Sequence, residues 1–393
     1  MRFHLSIPAR INVLGNPSDA NEGDFATISA AVNVYAGALV EPSSAWRLEY
    51  SPRSALGTLS MRKSCLLSTG ERFAPQYLDF SPSALPLPYD GQLDLLKGAV
   101  NRLYAFSPEL RRKLPLQGVR IACWSDVPRQ SGLGGSSLLV TLTLAALRGF
   151  YDLDPHLHND YILCELTQNT ESLELGITCG FADRYVPLFG GLAYLDYHGK
   201  LHQQPIRQEP LVTYERLDPY VERLPLVAIT TGVQHNSGDV HGRMRPRYLQ
   251  EFDAWNLSGG EPPSLVRTMQ SIYETAWRGK IALLEGDLED FGRLMNRNHC
   301  LIDEMMIHCG FADGAGWANN HFIQVALENS ALGAKLTGAG GGGSVFALAR
   351  PGEEDRLANA WQQAAQQAGL TEARVFQPLI SPQGLLIEQL SNQ

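Results

Sequence analysis

Over the first third of the chain, apolar residues fall in short runs closed off by Pro, Gly or Ser: Ile11 to Leu14, Asn33 to Val40, Trp46 to Tyr50 and Gly118 to Trp124. Runs of this length and punctuation predict strands. The period changes at Leu93 to Phe106, where Leu95, Leu96, Ala99, Val100 and Leu103 share one helical face. Further helices are predicted from Ser137, around Tyr161 to Leu175 and over Phe181 to Leu188, before Leu192 to Tyr197 returns to strand. A polar, Pro-containing stretch near residues 203 to 219 then precedes Leu224 to Thr231, a buried strand opening a second unit. Helical patterns occupy 263–285, 286–305 and 316–330, and a glycine run leads into the strand-like Ser344 to Ala349. A last helix over 352–368 and closing strands within 372–388 complete the order. Mixed, non-repeating order predicts an α+β fold, divided into residues 1–210 and 211–393, rather than a barrel or a doubly wound sheet.

Composition narrows the class. A chain of 393 residues accommodates two domains with a cleft between them. Hydrophobic residues at 44% and charged residues at 19% leave little room for long disorder. A net charge of −9 supplies no basic field for nucleic acid or an anionic membrane, so the expected partner is a small molecule bound locally. The six cysteines form no C-x-x-C pair and read as reduced, buried thiols. No apolar stretch reaches the ~18 residues of a membrane span, and the first residues lack a signal-peptide pattern. The expectation is a cytoplasmic protein, monomeric or homodimeric.

The candidate chemistry begins at Val127-Pro128-Arg129-Gln130-Ser131-Gly132-Leu133-Gly134-Gly135-Ser136-Ser137, followed by the apolar run Leu138 to Leu147. A glycine-rich turn feeding a helix offers backbone N–H groups and the positive end of the helix dipole to a phosphate. The same residues also admit a plain helix start capped by Ser136. Gly338 to Gly343 satisfies G-x-G-x-x-G, but that fingerprint needs a strand before it and a helix after. Here the expected order is helix, then glycines, then strand, so the run is expected to permit a close backbone approach, by a ligand or a packed loop. Arg10 and Asp19 flank a strand-to-turn passage, and Glu165, Glu171, Glu174 and Asp183 are the other acidic candidates. Phosphoryl transfer needs a carboxylate at the attacking hydroxyl and oxygen ligands for Mg²⁺. There is no G-x-x-x-x-G-K-[ST], no H-R-D-L-x-x-x-N and no D-F-G, which excludes Walker-type ATPases and protein kinases.

Three blocks taken together, Pro8 to Gly15, Pro128 to Ser137 and Leu336 to Gly341, resemble the GHMP small-molecule kinases over about residues 8 to 370. Within that family the likeness is to its glucuronokinase branch, through Leu14 to Asp19, Pro128 to Ser137, Asp183-Arg184 to Asp196, and Ser237 to Arg245. Asn16-Pro17 stand where galactokinases carry Glu-His. The resemblance implies a two-lobed architecture, with a ribosomal S5 domain 2-like first lobe and a ferredoxin-like second lobe. It implies ATP held by Gly132, Leu133, Gly134, Gly135, Ser136 and Ser137 with Gly338 and Gly340, and Mg²⁺ held by Ser137 and Glu171. Asp183 would then act on a sugar hydroxyl, Arg10 on the developing charge, and Asn16 and Asp19 on the sugar. A uronate substrate calls for a cation at its carboxylate, for which Arg184 is the chosen candidate beside Arg129, Arg243 and Arg245.

Overall fold

A computed structural model describes residues 2–21, 25–53, 62–66, 74–177, 179–197, 212–233 and 237–390. The strands are β1 (Phe3–Leu14), β2 (Ala26–Ser43), β3 (Trp46–Tyr50), β4 (Gln76–Phe80), β5 (Gly118–Ser125), β6 (Leu192–Asp196), β7 (Thr213–Arg216), β8 (Leu226–Thr230), β9 (Gly333–Thr337), β10 (Ser344–Leu348), β11 (Arg374–Phe376) and β12 (Leu386–Gln389). The helices are α1 (Asp94–Phe106), α2 (Pro108–Lys113), α3 (Gly135–Phe150), α4 (Asp160–Asn169), α5 (Ala182–Phe189), α6 (Ser237–Ser258), α7 (Ser264–Glu285), α8 (Leu288–His308), α9 (Trp317–Glu328) and α10 (Glu354–Gln367).

Two sheets organise them. Among the described residues the first runs β12-β1-β2-β5-β3-β4, with β6 on the other half of the long β2 and β7 on β6. The second is antiparallel, ordered β11-β8-β10-β9. Every residue of β1 is buried, so this strand reads as covered on both faces rather than alternating. Helix α3 packs on β1, β2 and β5, while α7 and α8 from the later half also reach β1. A separate apolar cluster, with Trp361 and Phe322 at its centre, joins α9 and α10 to the second sheet.

Helix α3 is apolar nearly all round: Leu138 and Val140 through Leu147 are buried. A helix of that kind is embedded, not laid on a surface. Its first turn is therefore held at a fixed place. The α+β class and the mixed order stand as expected. Strand β9, however, directly precedes the glycine run, where the sequence order predicted a helix; α9 ends earlier, at Glu328. Since β10 follows, the run is the turn of an antiparallel hairpin and lacks the helix that a dinucleotide site requires.

Candidate active site

The glycine loop and the start of α3 form one wall of a cavity of about 760 Å³. Gly134 occupies the N-cap position in a left-handed conformation, so no side chain caps the helix. Ser136 lies inside the first turn, which sets aside the plain-cap reading. Its hydroxyl donates to Glu171 Oε1 at 2.7 Å, and that of Ser137 to Oε2 at 2.7 Å. The first N–H groups of a helix have no partner within it, and here they face a cavity.

The loop is pressed against the hairpin turn of the second sheet. A Cβ at Gly132 would lie 2.6 Å from the Thr337 carbonyl oxygen, and one at Gly338 would lie 2.9 Å from Gly132 Cα. Both glycines also have positive φ. The close approach expected of this run is thus made to the first loop, while Gly338 and Ala339 still line the cavity. Gly340 is not in that lining; it sits over Met306. Leu133 points into the core, and only its carbonyl takes part locally, accepting from the Arg10 N–H at 3.3 Å.

Strand β1 delivers Arg10 and Asn12 on the same face, as alternation requires. Arg10 donates from Nε to Asp183 Oδ1 at 2.6 Å, with Nη2 also at 2.6 Å from that oxygen, and from Nη1 to the Gly132 carbonyl. Asn12 Nδ2 reaches the same Asp183 oxygen at 3.5 Å. Burial favours the neutral form of Asp183, but Arg10 and Arg184, with the hydrogen bonds from Arg10 and Asn12, hold its carboxyl below the usual range. Asp183 is therefore an ionised group with one oxygen committed to Arg10.

Asp19 lies in the same wall, in a short turn after β1 that follows the cis Asn16–Pro17 peptide. It accepts the Ala182 N–H at 3.1 Å. Burial and the neighbouring charge of Asp183 push its carboxyl up to about 6, against the opposing pull of that N–H, Arg10 and Arg184.

Arg184 is the clear correction. It is fully buried, absent from the cavity wall, and ion-paired with Glu171. Removing one member of a buried pair leaves an uncompensated charge, at a cost of about 3–5 kcal/mol. Its duty is thus to Glu171, and a substrate carboxylate has no path to it. Arg243 pairs with Asp239 and lies over Phe311, and Arg245 donates to the Ala20 carbonyl at 2.7 Å. Arg129 is exposed and does line the cavity.

The structure thus brings together Arg10, Asn16, Asp19, Gly132, Gly134, Gly135, Ser136, Glu171, Asp183 and Gly338 around one space, with Ser137 just behind. It also adds residues that the motifs did not supply. Asn298 of α8, wholly buried, accepts the Gly15 N–H at 2.9 Å and donates to the Asn16 carbonyl at 3.3 Å. Thr337 Oγ1 accepts the Asn12 N–H at 3.0 Å, and Lys335 of β9 reaches the same turn. Lys335 carried one legible signal, a charge within the otherwise uncharged strand Gly333-Ala-Lys-Leu-Thr337; Asn298, midway along a helix, carried none.

Comparison with known proteins follows the same outline. The family models described as GHMP kinases N terminal domain and GHMP kinases C terminal match residues 94–191 and 318–367. A probable glucuronokinase 2 of Arabidopsis thaliana is 30% identical over 358 residues, covering 88% of this chain and 84% of the relative. D-glycero-alpha-D-manno-heptose 7-phosphate kinase of Campylobacter jejuni is 25% identical over 276 residues, covering 69% of this chain and 71% of the relative. Among solved structures, Lactococcus lactis galactokinase complexed with galactose superposes with a TM-score of 0.71 at 18% identity, covering 98% of this chain and 95% of that one.

Proposed function

The chain belongs to the GHMP kinases and is a sugar kinase of that family, and from this premise we propose that it phosphorylates the anomeric hydroxyl of D-glucuronate with ATP as donor, in the cytoplasm. The observation that carries the reading is the single cavity wall on which the uncapped start of α3 and the Arg10–Asp183 pair stand together. The 30% identity to a glucuronokinase supports the choice of sugar. Residues 1–210 would form the lobe bearing the phosphate loop and 211–393 the second lobe, with β7 and β12 returning from beyond that boundary to the first sheet.

In this mechanism the backbone N–H groups of Gly134, Gly135 and Ser136 bind the phosphates of ATP. Asp183 orients the sugar hydroxyl in line with the γ-phosphorus. The oxygen–phosphorus bond forms as the bond to ADP breaks, and the hydroxyl proton passes to the free oxygen of Asp183. A carboxylate held below its usual range is a weak base, so proton transfer comes late and orientation is its larger contribution. Arg10 holds that geometry and offsets charge on the transferring group. Ser137 Oγ and Glu171 are the oxygens proposed to hold Mg²⁺; Glu171 Oε2 is taken by Ser137 and Arg184, so the ion would be held through Oε1, which Ser136 meets at 2.7 Å, with phosphates and water completing its shell. Bound there, the ion would neutralise phosphate charge. Among the described residues no cluster of three His, Cys, Asp or Glu side chains forms a fuller metal site.

ADP release from ATP across uronic acids, neutral hexoses and mevalonate tests the reading, with phosphorus NMR identifying a sugar 1-phosphate. Glucuronate should be the preferred acceptor, and Asp183→Asn should lower kcat by about 10²–10⁴-fold. Activity confined to neutral hexoses would overturn the choice of sugar. An undiminished Asp183→Asn variant would overturn the role of that carboxylate.

A further inference from the structure

Lys335 has no exposed surface. Its Nζ donates to the carbonyls of Asn12 at 3.1 Å and Leu336 at 2.9 Å and to Asn16 Oδ1 at 2.8 Å, and it lies 5.4 Å from the centre of the Phe346 ring. No carboxylate among the described residues pairs with it. Three acceptor oxygens around one nitrogen call for three N–H donors, which only the ammonium form possesses. Burial, with the positive charge of Arg10, nevertheless presses the group well below its ordinary range. An unpaired buried cation is costly, so its retention calls for a physical reason.

That reason lies in Asn16. Because lysine only donates, it fixes the Asn16 amide with its oxygen turned inward and its NH₂ turned away. Nδ2 makes one long bond, 3.4 Å, to the Gly338 carbonyl, and its second N–H has no partner among the described residues. Asn16 is buried yet contributes to the cavity wall. Of the cations nearby, the buried Arg10 and Arg184 are paired with Asp183 and Glu171, while Arg129 stands exposed on the cavity wall beside the glycine loop. A donor backed by an uncompensated ammonium favours an acceptor, and an anionic acceptor most.

We propose that Asn16 and Lys335 read the carboxylate of an acidic sugar: Asn16 Nδ2 donates to it, and Lys335 is the positioning residue that locks the amide and supplies the charge behind it. The inference rests on the sugar-kinase reading and adds what separates a uronate from a hexose.

Calorimetric binding and ADP release, measured separately for glucuronate and glucose, test it. Lys335→Met keeps side-chain length and removes the charge. Asn16→Asp gives the ammonium a counter-ion and replaces the donor by an acceptor, so it should fold even where Lys335→Met does not. In each folded variant the ratio of glucuronate to glucose affinity should fall by about tenfold or more, with the change in KM rather than kcat. In the unaltered chain, raising the pH until Lys335 loses its proton should raise the Kd for glucuronate, while that for glucose stays level. Arg10 on β1 and His299 on α8 face Lys335; His299, pushed down to about 4 chiefly by burial, is neutral throughout an alkaline titration. A ratio unmoved in Asn16→Asp, or a level glucuronate profile, overturns the inference. Turnover of glucuronate with an unmoved ratio spares the kinase reading, whereas selective binding without turnover spares the inference alone. An unaltered chain that prefers glucose overturns both.

Discussion

Asp19 and Asp183 share a cavity wall but are driven in opposite directions, Asp183 downward by Arg10 and Asp19 upward by burial and by Asp183 itself. Asp183 is therefore ionised at neutral pH, and an acid limb of activity is expected from Asp19. The KM for the sugar should rise as pH falls below about 6, which steady-state kinetics from pH 5 to 8 will show. The stability sign follows from the same shift. Between the ordinary carboxylate range and about 6 the folded state holds a proton that the unfolded chain has released, so stability falls as pH rises through that window. Asp19→Asn should thus raise Tm at pH 7.5, by the equivalent of roughly 2–3 kcal/mol, and much less at pH 4.5, while weakening sugar binding. Arg10, Asp19 and Asp183 were legible because each sits inside a motif. Arg184 was misread because adjacent helical residues point about 100° apart, so its neighbour's place in the cavity says nothing of its own.

At the scale of elements, strongly patterned segments were the legible ones. Helix α3, β8 and the pair α7 and α8 lie where the spacing of apolar residues puts them, since those faces are buried. Helix α6 was missed: Gly238, Gly242 and Pro246 interrupt it, and neither Arg243 nor Arg245 suggests an apolar stripe. Strand β4 escaped because it is a half-exposed edge strand. The glycine loop and the β9–β10 turn meet backbone to backbone, which no one-dimensional pattern records. Gly132→Ala should strike Thr337 and distort a left-handed residue, raising the KM for ATP about tenfold or more, with a smaller change for the sugar. Kinetics alongside Gly338→Ala check this, and the two substitutions should be strongly non-additive because they injure one contact.

On the scale of the whole molecule, residues from the second half of the chain buttress the β1 strand and the turn after it, which carry the first motif. Asn298, Lys335 and Thr337 all bond the β1 strand or the turn after it, and Ser344 Oγ donates to the Ser131 carbonyl. Long-range contacts of this kind are invisible to local pattern, which is why the motifs were readable and their scaffold was not. Asn298→Ala leaves the Gly15 N–H buried without an acceptor, so stability should drop by about 1–3 kcal/mol, with the sugar KM rising more than the ATP KM. Thermal unfolding and two-substrate kinetics measure the two effects.

Strand β12 pairs with β1 through Phe3 opposite Gln389 and Ser6 opposite Leu386. During translation, the edge of β1 must therefore wait until β12 has been made, and every other strand described lies between the two in sequence. Strand β1 precedes every other described strand yet is among the last to be completed, and until β12 joins it that side offers an open edge of the kind that invites pairing with other chains.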